Sequence, residues 1–383
     1  MNLRPLTVVL IVPTGVGASI GGFAGDALPV ARAIAQVSDT LITHPNVLNG
    51  AQLYWPIPNA LYVEGYGLDK FAQGCWGLQP VHQNRIGLIL DRGIEPDLQL
   101  RHLQAVDAAR ATLGLNITDY VLTDVPLNVE LRMSESGASW GTIANPDSLL
   151  RAAEKLITQA KVEAIAVVAR FPDDIGSLAL ENYRHGKGVD PLAGAEAVIS
   201  HLIVRTFKIP CAHAPALLPL PLDPHLSPRS AAEEIGYTFL PCVLAGLSKA
   251  PQFVTQSTEE RDTDRERKHT QLPITHYQLP ITKDRVDAVV IPATACGGSA
   301  ILSLSGRSAV QIIAVADNKT QMQVPPEKLG IKALQVNSYL EAIGVLVALR
   351  AGITPVALGA DISPLRCLSD STKQISNLKS KID

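Results

Sequence analysis

The segment Leu10-Ile-Val-Pro-Thr-Gly-Val-Gly-Ala-Ser-Ile20 has the pattern of a buried strand that ends at a proline and runs into a glycine-rich turn. The same order recurs in Val289-Val-Ile-Pro-Ala-Thr-Ala-Cys-Gly-Gly-Ser-Ala-Ile301. Each is followed by another apolar run that ends in polar residues, His44-Pro-Asn46 and Asp317–Thr320. The two segments are interpreted either as an internal repeat that places both glycine loops at one sheet edge, or as chance similarity between ordinary turns.

Aliphatic, β-branched runs predict strands that are covered on both faces. They are Thr7–Val12, Arg85–Leu90, Asp119–Leu122, Glu163–Ala169, Asp287–Ile291 and Gln311–Ala316. Helical spacing and start signals predict helices between them, at Leu28–Ala35, Gln99–Leu113, Asn145–Ala160, Pro191–Thr206, Ser227–Leu247 and Asn337–Arg350. The alternation predicts an α/β protein with mainly parallel sheets, helices on both faces, and two lobes around a cleft.

The composition changes after residue 254, where a nearly continuous run of polar and charged residues begins. The change predicts an N-terminal α/β portion at 1–254, which contains an aromatic-rich segment, and a charged linker or insertion at 255–284. A C-terminal α/β portion at 285–368 and a flexible tail at 369–383 complete the predicted organisation.

The net charge of −3 argues against bulk electrostatic binding of nucleic acid or anionic membranes, so neither is expected as a partner. Five widely spaced cysteines fit neither a disulfide framework nor a zinc site. We therefore expect free thiols and a cytoplasmic location. No motif predicts a metal or a cofactor.

The glycine-rich loop Pro13–Asp26 is a candidate cradle for a small anion, because glycines expose backbone N–H groups. Its candidate ligands are Thr14, Gly15, Gly17 and Ser19. The loop lacks both the complete GxGxxG pattern and the lysine of a P-loop, so neither a Rossmann nor a P-loop nucleotide site is predicted. The alternative is a tight structural turn.

His44 and Asn46 follow a predicted strand end, where α/β sheets usually bind their ligands. The ordinary pKa of histidine lies near neutrality, so His44 is a candidate general acid or base and Asn46 a candidate ligand. The alternative is that both residues close a turn.

Cys296 is the candidate nucleophile or proton-transfer group, because the start of a helix lowers the pKa of a thiol. Gly297, Gly298 and Ser299 are candidate donors to an oxyanion, and Asn318 lies at a neighbouring strand end. The alternative is a small buried thiol beside a tight turn.

The loop Glu181–Asp190 combines charges, a histidine and glycines within ten residues. Arg184 and Lys187 are candidate clamps for a carboxylate or phosphate, and His185 and Asp190 are candidate proton-transfer groups. The alternative is that the charged residues of this loop form salt bridges at the surface without a functional role. By contrast, Glu233 and Glu234 have an ordinary explanation as acidic residues in the first turn of a helix.

Six of the seventeen aromatic residues fall between Tyr54 and Trp76. Aromatic rings with polar edges suit ligand walls and interfaces, so a homo-oligomer through this segment is one expectation. A lid or a local satellite core explains the same cluster.

The loop Pro13–Asp26, with Thr43–Asn46, Tyr183–Asp190 and Ala293–Ser299, resembles an uncharacterised conserved family of cyanobacteria and plastids. The resemblance covers most of the chain and implies a cytosolic or stromal setting, but no reaction. Separately, Val290–Ser299 is similar to the cysteine turn of aspartate/glutamate racemases, which use two cysteines on pseudo-symmetric halves. The matching N-terminal loop has Val16 or Gly17 instead of cysteine. A second cysteine, such as Cys75, would therefore have to be brought to the site by folding.

These observations together predict a protein that binds a small anionic metabolite, a carboxylate or a phosphate, between two lobes. The leading interpretation is an enzyme with acid–base or cysteine-nucleophile chemistry, as a racemase or isomerase, a lyase or a hydrolase. The alternative is a non-catalytic ligand sensor or a protein assembly factor.

Overall fold

The computed structural model describes residues 4–255 and 279–365. Its strands are β1 (Thr7–Leu10), β2 (Thr40–Thr43), β3 (Ala60–Tyr62), β4 (Gly77–Gln79), β5 (Ile86–Leu90), β6 (Ile117–Leu122), β7 (Val129–Met133), β8 (Ser139–Ile143), β9 (Ala164–Arg170), β10 (Cys211–Ala216), β11 (Gln252–Val254), β12 (Val286–Pro292), β13 (Gln311–Val315) and β14 (Ala333–Val336). Its α-helices are α1 (Leu28–Val37), α2 (Pro45–Leu48), α3 (Ala51–Tyr54), α4 (Gly65–Gln73), α5 (Pro96–Leu113), α6 (Pro146–Lys155), α7 (Leu178–Arg184), α8 (Ala193–Phe207), α9 (Ala231–Glu234), α10 (Leu240–Ser248), α11 (Ser299–Ser305) and α12 (Tyr339–Arg350). A π-helical turn, Leu156–Ala160, continues α6, and 3₁₀ turns lie at Lys283–Arg285, Pro326–Leu329 and Pro355–Leu358.

Six parallel strands form the larger sheet, in the order β3-β2-β1-β12-β13-β14. The apolar runs of β1 and β12 are buried on both faces, which explains why they occupy the centre. From β1 the chain winds outward in one direction to β3, and from β12 in the other direction to β14. This is the order of a doubly wound sheet, whose ligand crevice lies where the winding reverses, here between β1 and β12.

A second parallel sheet, in the order β6-β5-β9-β10, is inserted in the chain between β3 and β12. The antiparallel pairs β7–β8 and β4–β11 lie beside the two parallel sheets. The α/β class and the mainly parallel sheets predicted from the sequence are confirmed.

The buried side chains do not form a separate cluster for each of the two parallel sheets. One cluster joins Val8 and Leu10 of the larger sheet with Leu88, Val168 and Ala214 of the smaller one. The predicted arrangement of two lobes is therefore not confirmed.

The domain division predicted around 255–284 stays a prediction. Strand β12 follows this segment, yet it pairs with β1 in register, Val8 opposite Ala288. The charged residues 256–278 and the tail residues 366–383 lie outside the described residues.

All six predicted strands are present, and none of their ends is displaced by more than two residues. The helix predicted at Ser227–Leu247 is instead two helices, α9 and α10. Gly236 has a φ of 75°, a left-handed conformation that ends the first helix, and Pro241 lies in the first turn of the second.

Candidate functional site

A cavity of about 640 Å³ lies at the carboxyl ends of the larger sheet, where its winding reverses. Thr14 follows β1, His44 follows β2, Glu64 lies just after β3 and Ala295 follows β12. The edge strand β10 of the smaller sheet contributes His213 from the opposite side. The cavity therefore lies between the two parallel sheets.

Helix α8 supplies one wall. The residues that face the cavity recur at helical spacing and are Ala193, Glu196, Ala197, Ser200 and His201.

Five carboxyl groups line the cavity, at Glu64, Asp69, Asp190, Glu196 and Glu233. Among the described residues that line it there is no lysine or arginine. Such a wall produces a negative potential, which favours a neutral or cationic ligand over an anion. This charge argues against the expected binding of a simple anion in the central cleft.

Glu233 is held by two donors. The phenol of Tyr183 donates to its Oε2 across 2.5 Å, and the backbone N–H of Ala24 donates to the same oxygen across 3.3 Å. Burial raises the pKa of Glu233 to about 7, the Tyr183 hydrogen bond opposes the rise, and the charge of Glu196 adds to it. Such a carboxyl group exchanges protons readily near neutral pH.

Asp190 lies in the same cavity, and its Oδ1 accepts a hydrogen bond from the backbone N–H of Leu192 at 2.8 Å. Burial and the neighbouring carboxylates of Glu233 and Glu196 raise the pKa of Asp190 well above its ordinary value. Because like charges close together disfavour ionisation, the protonation of Asp190 depends on that of Glu233. Asp190, a predicted proton-transfer group, thus lies in the central cavity.

His44 lines the cavity, but its chemistry differs from the expected general acid or base. The backbone N–H of Val12 donates to its Nε2 across 3.1 Å, and burial lowers the pKa of His44 to about 4. The ring is therefore neutral at neutral pH, with its proton on Nδ1. His44 can donate a hydrogen bond from Nδ1, but its Nε2 is already occupied.

Two further histidines pair with carboxylates of the wall. His201 Nδ1 contacts Glu64 Oε1, and neither atom has another hydrogen-bond partner among the described residues. Burial lowers the pKa of His201, but the hydrogen bond and charge of Glu64 outweigh it, so the net shift is upward. His213 Nε2 lies 3.5 Å from Glu196 Oε2.

The two glycine loops open into the same cavity, because β1 and β12 are neighbouring parallel strands. The sequence-predicted residues that meet there are Thr14, His44, Asn46, Asp190, Gly297, Gly298 and Ser299. Asn46 Nδ2 donates to the carbonyl of Gly21 across 2.9 Å, which joins the loops after β2 and β1.

Cys296 does not have the environment of a nucleophile. Its side chain is fully buried, its Sγ faces the carbonyls of Pro292 and Ala293, and burial raises its pKa to about 11. The helix that follows it, α11, has only seven residues, and burial outweighs any lowering of the pKa by its start. Cys75, the candidate second cysteine, is exposed, and neither thiol is among the described residues that line the cavity.

Arg184 and His185 also lie elsewhere. Arg184 Nη2 is 2.7 Å from Glu234 Oε1 and 2.7 Å from the Pro221 carbonyl, so its guanidinium is already paired. His185 Nε2 is 2.9 Å from Asp223 Oδ2 near the surface.

Ligand atoms of Glu181, His185 and Asp223 lie within 4.8 Å of one another, which makes this trio the place among the described residues where a metal ion could be held.

Gly15 and Asn318 have structural roles. A Cβ on Gly15 would lie 2.6 Å from Ser139 Oγ, and its φ of 68° favours glycine. Asn318 is fully buried, and its side-chain amide accepts from Ile20 N and donates to Ile20 O, both at 2.9 Å. The remaining predicted ligands, Gly17, Ser19 and Lys187, line a separate cavity.

The aromatic segment mainly builds the core. Tyr62, Phe71 and Trp76 are buried, whereas Trp55 is exposed and carries the guanidinium of Arg32 at 3.6 Å from its ring centroid. Oligomerisation through this segment stays a prediction.

The residues of the site that the sequence reasoning missed are Glu64, Asp69, Glu196, His201 and Glu233. Glu64 had a local signal, because it follows the short apolar run of β3 and precedes Gly65. Its carboxylate begins α4 by accepting hydrogen bonds from Tyr66 N at 2.8 Å and Gly67 N at 3.2 Å.

A family model with the description "Protein of unknown function (DUF3326)" matches residues 7–359. The chain belongs to the DUF3326 family. It is 57% identical over 374 residues to a Synechococcus protein named "uncharacterized lipoprotein", and the match covers 98% of this chain and 99% of that relative. The resemblance to an uncharacterised cyanobacterial family is confirmed. No solved structure matches this DUF3326 protein, and within its described residues no helix has the length and apolar character to cross a bilayer.

Proposed function

We propose that this protein is an enzyme that binds a small polar metabolite in the cavity between its two sheets and transfers a proton through Glu233. The observation that carries the proposal is the convergence of Glu233, Asp190 and Glu196 with the neutral ring of His44 on one cavity. Acid–base enzymes need titratable groups with shifted pKa values inside a concave site, and this cavity supplies both.

The chemistry that best suits these groups is proton abstraction from a carbon next to a carbonyl. The C–H bond breaks, its proton moves to the Glu233 carboxylate, and the electron pair moves to the carbonyl oxygen as an enolate. His44 stabilises that oxygen by donating from Nδ1. Return of the proton to the same or another carbon completes an isomerisation, which is one of the three reaction classes that the sequence left open.

The charge of the wall refines the expected substrate. Five carboxyl groups and no described lysine or arginine favour a substrate that is neutral or carries an amine. An anionic group, as expected from the glycine loops, has to be accommodated outside this cavity.

Deuterium exchange tests the proposal even though the substrate is unidentified. The purified protein is incubated in D₂O with a small-molecule extract of cells, and mass spectrometry follows deuterium uptake and consumption of each compound. We expect at least one compound to change with wild-type protein and with the exposed control Glu154→Gln, but not with Glu233→Gln. If no compound changes with wild-type protein, the non-catalytic sensor becomes the better interpretation.

We also propose that the protein works in the cytoplasm. The described cysteines, Cys75, Cys211, Cys242 and Cys296, are all free thiols, as expected in a reducing compartment. The name of the Synechococcus relative favours a membrane anchor instead. Fractionation of cells into soluble and membrane material decides between the two.

A further inference from the structure

A second cavity, of about 400 Å³, lies on the other side of the glycine-rich loop. Val16 faces the central cavity, whereas the next residue, Gly17, faces the second one. The charge of the second wall is opposite to that of the first. It contains Lys187, Arg229 and Lys319, and no carboxylate is among the described residues that line it.

Among the described residues, two of these three cations have no counter-charge. Arg229 Nη1 lies 3.0 Å from Asp26 Oδ2, so its guanidinium is held in an ion pair. The ammonium groups of Lys187 and Lys319 are exposed, and neither makes a hydrogen bond or an ion pair with another described residue. The cavity therefore presents two uncompensated positive charges beside a fixed guanidinium.

Close contacts between loops hold these cations near one another. The backbone N–H of Ser19 donates to the carbonyl of Lys319 across 2.9 Å. A Cβ on Gly17 would lie 2.8 Å from the carbonyl oxygen of Gly188, next to Lys187, so only glycine allows this approach. Two segments distant in the sequence thus bring their lysines to one concave surface.

We propose that this second cavity binds a phosphate group, either as free phosphate or as part of a small metabolite, through Lys187, Lys319 and Arg229. A phosphate dianion neutralises the two free ammonium groups, whereas one carboxylate leaves a positive charge uncompensated. The planar guanidinium of Arg229 adds N–H donors whose geometry suits phosphate oxygens. The inference goes beyond the proposed enzyme, since none of the carboxyl groups of the central cavity takes part.

Calorimetric titration with inorganic phosphate at constant ionic strength tests this site. We expect saturable binding by the wild-type protein, and a dissociation constant at least roughly tenfold higher for Lys187→Ala/Lys319→Ala, because charged hydrogen bonds are lost. Lys155→Ala, another exposed lysine, is the matched control and should bind as wild type. Circular dichroism verifies that each variant is folded.

Two further titrations complete the test. Glycerol 2-phosphate distinguishes the sources, because tighter binding than inorganic phosphate indicates a phosphorylated metabolite, and equal or weaker binding indicates free phosphate. Glu233→Gln should bind phosphate as wild type does, which keeps this inference separate from the proton-transfer proposal. Absence of binding by wild-type protein, or unchanged binding by the double lysine variant, would overturn the inference.

Discussion

The phenol oxygen of Tyr183 lies 2.5 Å from Oε2 of Glu233, and the ring of Tyr183 stacks on Phe23 with 4.6 Å between centroids. The glycine-rich loop thus positions the tyrosine, and the tyrosine positions the carboxyl group. Because the phenol donates to the carboxylate, it stabilises the ionised form of Glu233.

Removal of that phenol should raise the pKa of Glu233 further. Tyr183→Phe keeps the stacked ring but loses the hydrogen bond, whose effect is to lower the pKa. Carbon-13 NMR of glutamate-labelled protein, with Glu233 assigned by Glu233→Gln, measures the shift. An unchanged or lower midpoint in Tyr183→Phe would mean that the phenol does not stabilise the carboxylate.

Glu233 should also make stability depend on pH. Its pKa is about 7 in the folded protein against an ordinary value of 4.5, so between these values the folded state holds a proton that the unfolded chain releases. Stability from this group is therefore fully present below pH 4.5 and is lost as the pH rises through 7, by about 3 kcal/mol in total. Thermal melts from pH 4.5 to 8 should show a smaller decrease in melting temperature for Glu233→Gln than for wild type. Equal decreases would contradict the assignment of this raised pKa to Glu233.

His44 should remain neutral throughout the physiological range. Burial lowers its pKa to about 4, so the ring should show no titration between pH 5 and 8. Nitrogen-15 NMR should further report a protonated Nδ1 and an unprotonated Nε2. A midpoint near the ordinary value of 6.5 would show that His44 is accessible to a proton and can serve as a base.

The cysteines should differ sharply in reactivity. Cys75 is exposed, whereas Cys296 is buried and its pKa is raised to about 11, so little thiolate forms. Iodoacetamide labelling followed by peptide mass spectrometry should modify Cys75 in native protein and Cys296 only after unfolding. Rapid native modification of Cys296 would restore it as a nucleophile.

Two glycines within helices provide a matched pair of substitutions whose effects on the free energy of unfolding should differ. A Cβ on Gly194 of α8 would lie 2.2 Å from Trp140 Cα, a contact with backbone that cannot relax easily. Gly194→Ala should destabilise the protein by about 1–3 kcal/mol. A Cβ on Gly344 of α12 would meet no atom within 4 Å, so Gly344→Ala should stabilise by about 0.5–1 kcal/mol. Urea unfolding measures both, and equal effects would contradict the packing of α8 on β8.

Local sequence patterns sufficed for six of the fourteen described strands but not for their pairing. The apolar runs at Thr7–Val12 and Asp287–Ile291 each predict a buried strand, because hydrophobic periodicity is a property of neighbouring residues. That these two strands are partners depends on contacts across the whole chain. The same limit applies near residue 255, where a change of composition cannot show that the strand beyond it, β12, pairs with β1.

The site was predictable in part for a related reason. Thr14, His44 and Gly297 lie in loops next to predicted strands, where ligands of α/β proteins bind. Glu196 and Glu233 look in sequence like ordinary charges near helix starts, and only the packing of α8 and α9 against the cavity gives them another role. Cys296 looked reactive because its sequence context says nothing about burial.

The hydrogen bond from Thr7 N to Asp287 Oδ2 joins residues 280 positions apart. During synthesis at about 5–20 residues per second, β1 emerges from the ribosome roughly 14 to 56 seconds before its partner β12. All four strands of the inserted sheet are synthesised in that interval, whereas the strand that later pairs with one edge of β1 is not yet present. We therefore expect this edge of β1 to be the part of the nascent chain most in need of protection from aggregation.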